Sequence, residues 1–353
     1  MTEQLPDEAY AIALALLPDI GPARLRELMN QGPAEGAWEK LANPTPEARA
    51  AVAKVWQWHC DLGITVLLPE SCWYPERLRE TPEAPAVLFC RGDPRALSGR
   101  PTAALVGTRA PTRYGIGVAA QLGAELSAVG VSVVSGLALG IDGAAHEGAC
   151  GAGAPPIGVV AGGLDIAYPR RHTRLWERVM EDGVIVSESP AGAKTEKWRF
   201  PVRNRLLAAL SDVVVVVESR HGGGSRHTVD AAIALGIDLG AVPGSIRSAT
   251  SEGPNAMLSD GAFPVRETTD ILMALSRAGA EVQIPPDEER RGKQVGPVPA
   301  GAQAIYEVLS PDPASLDALA GLTGLDFATL CGGLERLAQA GLARAVGGWW
   351  QRT

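Results

Sequence analysis

The sequence predicts an α/β fold with an extended Rossmann-like, doubly wound and mostly parallel sheet. Short Val-, Ile- and Ala-rich runs alternate with helix-length segments through the middle of the chain. The runs at 103–106 and 213–217 are apolar throughout rather than alternating, as in strands buried on both faces. Turn residues, often glycine, follow these runs at the position where open parallel sheets bind their ligands.

The strand–turn–helix repeat is clearest over residues 103–146. The run Ala103–Val106 ends at Gly107-Thr108-Arg109, and a helical segment at 114–129 leads to a second apolar run at 131–134. That run ends at Ser135-Gly136, directly before another helical segment. The same reasoning predicts further strands at 64–69, 87–92, 157–161, 184–187, 213–218 and 239–242.

Smaller modules are expected on either side of this sheet domain, which we place at 60–278. Residues 1–59 predict a helical, SAM-like or helix-hairpin-helix-like domain, whose Ile20-Gly21-Pro22 turn either presents amides to a phosphate or only packs. A linker rich in Pro and charge follows at 279–299. Residues 300–353 predict three helices and a hairpin, the plan of a winged-helix domain. The charged residues of the expected recognition helix, 327–340, are Glu335 and Arg336, which favours a protein contact or a structural role.

Composition excludes several classes of function. The net charge of −8 argues against a general polyanion binder, so a nucleic-acid partner needs a local basic site. No apolar run is long enough to span a membrane and the N-terminus lacks the basic start of a signal peptide, so we expect a cytoplasmic protein. The five cysteines include no CxxC pair and predict reduced thiols without a metal or disulfide role.

Basic and small polar residues recur where the predicted strands end. Because the carboxyl ends of parallel strands share one edge, we expect these turns to line a groove for phosphates. Tyr168 and Phe200 are candidates for base stacking. Asp142 and His146 share a helix face and allow a catalytic or metal pair, but an N-cap beside a packed histidine is the simpler interpretation. Phosphate-loop, HExxH and GxSxG signatures are absent, so we expect neither an enzyme nor a cofactor.

These motifs, in this order, resemble the DNA-processing protein A (DprA, also called Smf) family over nearly the whole chain. The segments that carry the resemblance include Trp73-Tyr74-Pro75, Val106-Gly107-Thr108-Arg109, Ser135-Gly136-Leu137-Ala138-Leu139-Gly140-Ile141-Asp142, Gly162-Gly163-Leu164-Asp165, Tyr168-Pro169, Phe200-Pro201-Val202-Arg203-Asn204-Arg205 and Ser251-Glu252-Gly253-Pro254-Asn255. Two segments depart from it: His172 stands where the family usually has Asn, and Arg226-His227 lies in a loop that usually reads Ser-Leu-x-Thr.

The resemblance implies a protein that binds single-stranded DNA, protects incoming DNA and loads the recombinase RecA onto it during natural transformation and recombination. It also implies a homodimer formed through the Rossmann domain, with single-strand-binding protein as a further partner. Arg109 and Arg170 would grip backbone phosphates, and Arg203 and Arg205 would line the same groove. The complete set of expected DNA-binding residues is Gly107, Thr108, Arg109, Ser135, Gly136, Tyr168, Arg170, Arg171, Phe200, Arg203, Arg205, Gly224, Ser225 and Arg226.

An enzyme of the nucleoside-monophosphate phosphoribohydrolase type is the alternative. The turn Gly222-Gly223-Gly224-Ser225-Arg226-His227-Thr228 faintly resembles the PGGxGT turn of that group. Those enzymes place a carboxylate after the threonine, and Asp230 lies two residues beyond Thr228. The proline and the spacing do not match, so the alternative is the weaker hypothesis.

Overall fold

The computed structural model describes residues 5–42, 45–284, 298–310, 312–346 and 348–352. The chain forms two compact units, one of Met1–Pro111 with Val118–Gln283 and the other of Thr112–Gly117 with Ile284–Thr353. Of the linker predicted at 279–299, residues 285–297 lie outside the described residues. Among the helices described, none is long and apolar enough to cross a membrane.

A nine-stranded sheet organises the first unit, in the order β1-β2-β6-β5-β4-β3-β7-β8-β9. Neighbours from β6 through to β9 pair in parallel, whereas β1 and β2 join antiparallel at one edge. The predicted large, mostly parallel sheet is therefore confirmed. Its strands are β1 Ile64–Leu67, β2 Leu88–Gly92, β3 Thr102–Val106, β4 Ser132–Ser135, β5 Ile157–Val159, β6 Val184–Ser187, β7 Val213–Val216, β8 Asp238–Ala241 and β9 Phe263–Pro264.

The central strands β3 and β7 are adjacent, although more than a hundred residues separate them. Their register pairs Ala103 with Val213 and Val106 with Val216, and both strands are buried along their whole length. The chain leaves β3 towards β4 and leaves β7 towards β8, on the opposite side. A crevice therefore opens between β3 and β7, at the switch point of a doubly wound sheet.

Twelve α-helices lie among the described residues between 5 and 284. Their bounds are α1 Asp7–Ala15, α2 Pro22–Met29, α3 Ala34–Ala42, α4 Pro46–Asp61, α5 Glu76–Arg79, α6 Arg113–Ala128, α7 Ile141–Ala149, α8 Thr173–Asp182, α9 Arg199–Ala209, α10 Arg226–Ala234, α11 Glu252–Ser259 and α12 Thr268–Arg277. Short 3-10 turns lie at Pro94–Leu97, Arg170–His172 and Ala249–Ser251.

The N-terminal helices share a hydrophobic cluster with the sheet. Ile12 of α1 and Phe89 of β2 belong to the same group of buried side chains. His59 of α4 joins the two parts by hydrogen bonds: its Nδ1 lies 2.8 Å from the Val55 carbonyl, and its Nε2 accepts from the amide of Ala191 at 3.0 Å. Burial lowers the pKa of His59, which favours the neutral ring that this pairing needs.

From residue 298 onwards, the described residues form three helices followed by a two-stranded antiparallel hairpin, in the order that the sequence predicts. The helices are Gln303–Val308, Leu316–Thr323 and Phe327–Gln339, and the hairpin strands are β10 Ala343–Val346 and β11 Trp349–Arg352. Ile305, Leu319 and Leu334, one from each helix, are fully buried together. Asp326 caps the third helix by accepting hydrogen bonds from the amides of Ala328 and Thr329.

Candidate nucleic-acid interface

A cavity of about 630 Å³ opens at the crevice between β3 and β7. We call it the cleft. Its walls are the turn after β3, the glycine-rich turn after β7 and one face of α9. The cleft-facing residues of α9 include Phe200, Arg203, Asn204 and Leu207, a helical spacing that places them on one side. The predicted position of the site, at the carboxyl ends of the strands, agrees with this geometry.

The turn after β3 is held rigidly by its backbone. The amide of Thr108 donates to the carbonyl of Glu218 at 2.7 Å, and the amide of Ile141 donates to the carbonyl of Thr108 at 3.3 Å. A Cβ at Gly107 would lie 2.6 Å from that same Glu218 carbonyl, so the close approach requires glycine. Gly140, with a φ of +86°, packs against the turn from the other side. This fixed frame projects the exposed side chain of Arg109 over the cleft.

Arg109, Phe200 and Tyr168 form a cluster at the mouth of the cleft. The Arg109 guanidinium lies 4.7 Å from the centre of the Phe200 ring, and the Phe200 and Tyr168 rings are 5.9 Å apart at 50°. Tyr168 is 48% exposed. Phe200 is half-buried, so a cation, a partly covered ring and the exposed ring of Tyr168 are available here to hold a phosphate beside a stacked base.

Arg203 and Asp142 form the buried floor of the cleft. Arg203 is 5% exposed and its Nη1 donates to the Val159 carbonyl at 2.8 Å. Burial lowers the pKa of Arg203 to about 10, opposed by the attraction of Asp142, so its guanidinium is still charged at neutral pH. Burial raises the pKa of Asp142, opposed by Arg203 and by hydrogen bonds from the backbone at 138 and 136. A Cβ at Gly136 would lie 1.9 Å from Arg203 Nη1, so glycine is needed here as well.

The glycine-rich turn after β7 forms the opposite wall. Ser225 Oγ donates to Ser219 Oγ at 2.8 Å, and Asn204 Nδ2 of α9 donates to the Gly224 carbonyl at 3.3 Å. The first bond closes the turn on itself, and the second fixes the turn to α9 across the cleft. A Cβ at Gly224 would meet nothing within 4 Å, so this glycine leaves open space rather than relieving a clash.

The structure places most of the predicted site residues around the cleft. Gly107, Thr108, Arg109, Tyr168, Phe200, Arg203, Gly224 and Ser225 line it directly. Gly136 lines an adjoining cavity of about 60 Å³, which shares Arg109, Tyr168, Phe200 and Arg203 with the cleft. Arg170 and Arg171 are exposed on the 3-10 turn that follows Tyr168-Pro169, beside the cleft mouth.

Ser135 and Arg205 are directed elsewhere, which corrects their predicted placement in the groove. Ser135 is fully buried and its Oγ donates to the Leu105 carbonyl at 2.6 Å, so it joins two strands. Arg205 pairs with Glu188 at 2.5 Å and with Glu83 at 3.4 Å, with 17% of its side chain exposed. The charge of Arg205 is thus balanced by two carboxylates of the protein itself.

Arg226 lies in a neighbouring depression of about 180 Å³ rather than in the cleft itself. Its Nε lies 3.7 Å from a carboxylate oxygen of Asp230, and both side chains are more than half exposed. An exposed pair of this kind is weak and can exchange one partner for another. Asp230, the carboxylate that the enzyme hypothesis needs, is thus paired with Arg226.

Two exposed cations of the cleft, Lys197 and Arg220, were missed by sequence reasoning, and His227 of the glycine-rich turn was not counted among the expected DNA-binding residues. Lys197 lies just before α9 and Arg220 just after Ser219, and neither has a local motif. His172, one of the two departures from the family pattern, places its Nδ1 3.0 Å from the Leu137 carbonyl and packs against Gly143. Its role in the structure is to brace the turn after β4.

The electrostatics of the cleft are positive despite the acidic chain. Three exposed cations, Arg109, Lys197 and Arg220, and the buried Arg203 line it. Asp142 is the carboxylate among these lining residues, and it is buried beside Arg203. In the part of the chain that the structure describes, no cluster of His, Cys, Asp or Glu is arranged to hold a metal ion.

A basic, aromatic-edged cleft at the switch point of a doubly wound sheet gives this α/β protein a surface suited to anions. Residues 65–276 match the sequence model of the family described as DNA recombination-mediator protein A. This match spans more than half of the chain, and the chain belongs to that family.

Curated relatives and solved structures agree with this assignment. A putative DNA processing protein DprA from Mycobacterium tuberculosis is 39% identical over 277 residues, which cover 78% of this chain and 70% of the relative. DNA processing protein DprA from Bacillus subtilis is 37% identical over 223 residues, which cover 63% of this chain and 75% of the relative. The structure of DprA from Streptococcus pneumoniae has a TM-score of 0.64 and 27% identity, covering 77% of this chain and 98% of that one. The structure of Helicobacter pylori DprA, described for its mode of binding single-stranded DNA, has a TM-score of 0.56 and 29% identity. It covers 62% of this chain and 97% of that one.

Proposed function

We propose that this protein binds single-stranded DNA in the cleft between β3 and β7. The observation that carries the proposal is the cluster of Arg109, Phe200 and Tyr168 at the mouth of a positively charged cavity of about 630 Å³. Guanidinium groups bind phosphates of any sequence, and exposed rings stack on any base. The binding is therefore independent of sequence and favours strands whose bases are unpaired.

The family supports a further step in the same process. DprA relatives are described as DNA processing proteins, and the H. pylori protein binds single-stranded DNA. We propose that this protein protects incoming DNA during natural transformation and loads the recombinase RecA onto it for recombination. A homodimer formed through the sheet domain, with single-strand-binding protein as a second partner, completes the proposal.

The flanking modules have proposed assignments as well. We assign 1–59 as a helix-hairpin-helix-like domain, 60–278 as the DNA-binding domain, 279–299 as a linker and 300–353 as a winged-helix domain. The order of three helices and a hairpin supports the last of these. Because the helix Phe327–Gln339 carries only Glu335 and Arg336 as charges, we assign it a protein contact rather than duplex recognition.

Fluorescence anisotropy with a labelled oligothymidylate and a duplex of equal length tests the binding proposal. Arg109→Ala should weaken single-strand binding to all sequences about equally. The matched control is Arg95→Ala, because Arg95 is an exposed arginine paired with Asp93 outside the cleft. If Arg109→Ala binds like Arg95→Ala, the cleft is not the binding site.

The loading step has its own test. RecA filament growth is followed on an oligonucleotide already coated with single-strand-binding protein. We expect this protein to shorten the lag, and Arg109→Ala to lose the effect in proportion to its lost DNA affinity. An unchanged lag with saturating protein would remove RecA loading from the proposal and leave DNA binding intact.

A further inference from the structure

The indole of Trp198 is exposed at the surface of the protein instead of packing into its core. Tryptophan normally buries most of its large apolar surface, yet Trp198 is 48% exposed. It lies in the segment between β6 and α9, directly before the first residue of α9. An open ring of this size is a surface on which a nucleic-acid base can stack.

Neighbours in sequence hold this indole in place. Its Nε1 donates to Glu196 Oε2 at 2.9 Å, and the Arg199 guanidinium lies 4.6 Å from the centre of the ring. Arg199 is itself anchored, because its Nη1 donates to Ser189 Oγ at 2.8 Å. The ring is therefore positioned and its polar atom satisfied, while about half of its surface is open. A preorganised surface costs little further entropy when a ligand stacks on it.

The same segment forms a wall of the cleft. Lys197 lines the cleft, and Phe200 lines both the cleft and the adjoining cavity. Trp198 lines neither of these cavities; together with Arg199 it borders a shallow depression on the other side of α9. In the chain, Trp198 directly follows the cleft-lining Lys197 and precedes Phe200 by two residues.

The charges around Trp198 select the chemistry of this ligand. Lys194, Lys197 and Arg199 carry positive charge within six residues of chain, where Glu196 is the one carboxylate and lies 3.6 Å from Arg199. An aromatic platform edged by cations suits a base joined to a phosphodiester, and suits it without regard to sequence. Bases of a duplex are already stacked and paired, so they do not use the platform.

We propose that Trp198 is an outer stacking platform that extends the single-strand site by at least one nucleotide beyond the cleft. This inference rests on the proposed function, since it requires a strand in the cleft. The cleft binds the central nucleotides through Arg109, Tyr168 and Phe200. Trp198 adds affinity only for strands long enough to reach it.

The test compares Trp198→Ala, Trp198→Phe and the parent, as full-length proteins, on oligothymidylates of roughly 2 to 16 nucleotides, a range that brackets single-strand site sizes. For the longest strand, Trp198→Ala should bind about 5- to 100-fold more weakly, the amount that loss of one stacked base costs. For the shortest strands, the variant should bind like the parent. Trp198→Phe should retain most of the affinity, and it should remove most of the quenching of tryptophan emission by DNA.

Trp73→Ala is the matched control, because Trp73 is 42% exposed and borders neither the cleft nor the adjoining cavity. Parent-like binding of long strands by Trp198→Ala would overturn the platform, and so would an equal loss for short and long strands. Both results leave the proposed function standing, provided that Arg109→Ala still weakens binding. A parent that binds no single strand would instead overturn the proposed function itself.

Discussion

Protonation of His146, a buried residue of α7, should lower the free energy of unfolding of the protein as the pH falls. His146 is fully buried, and burial lowers its pKa from 6.5 to about 4. Because the folded pKa lies below the unfolded one, neutral His146 contributes stability above about pH 6.5 that is lost as the pH falls towards 4. The shift corresponds to about 3 kcal/mol in total, of which about 2 kcal/mol is lost between pH 7.5 and pH 5.

Urea unfolding of the parent and of His146→Leu at both pH values measures this contribution. The variant should lose about 2 kcal/mol less than the parent on acidification, since leucine cannot titrate. Leu164→Ala, which removes a fully buried apolar side chain, is the control: it should lower stability at both pH values and keep the parent's pH dependence. If His146→Leu has the same pH dependence as the parent, the burial of His146 does not shift its pKa as argued.

Two further substitutions test the floor of the cleft and the ion pair of Arg205, the arginine whose predicted position in the groove was wrong. Gly136→Ala puts a Cβ 1.9 Å from Arg203 Nη1, so it should lower the free energy of unfolding in urea by about 1–3 kcal/mol and weaken DNA binding. Its control is Gly36→Ala, whose Cβ would meet nothing within 4 Å. That variant should leave the free energy of unfolding unchanged or raise it by about 0.5–1 kcal/mol. Arg205→Ala leaves buried Glu188 without its cation and should cost about 3–5 kcal/mol, against less than about 1 kcal/mol for Arg24→Ala in its exposed pair with Glu27. If a variant and its control lost equal free energies of unfolding, the structural role given to Gly136 or to Arg205 would be contradicted.

The sheet and the position of the cleft could be predicted because they depend on local patterns. Strands buried on both faces have continuous apolar runs, and turns at their carboxyl ends lie on one edge by topology alone. The predicted strand at 213–218 is observed as Val213–Val216, two residues shorter, because the chain turns towards the cleft once its last buried pairing with β3 is made. The antiparallel pairing of β1 and β2 had no local signal.

Side-chain direction was predicted less well. Arg203 and Arg205 are two residues apart on α9, so they point to different faces of the helix. This spacing could have shown that only one of them enters the cleft, but which one depends on Glu188, a tertiary partner. Lys197 and Arg220 reach the cleft only because α9 and β7 are brought together, and no local spacing marks either residue.

The salt dependence of single-strand binding tests the central claim most directly. Arg109, Lys197 and Arg220 are the exposed cations that line the cleft. Replacing all three by Ala should make the slope of log Kobs against log[salt] shallower by about 2, because each phosphate contact on a single strand contributes about 0.7. The control replaces Arg24, Arg95 and Arg277, exposed arginines outside the cleft, and should keep the parent slope. A parent-like slope in the cleft variant would contradict the account, because the phosphates would then be bound elsewhere.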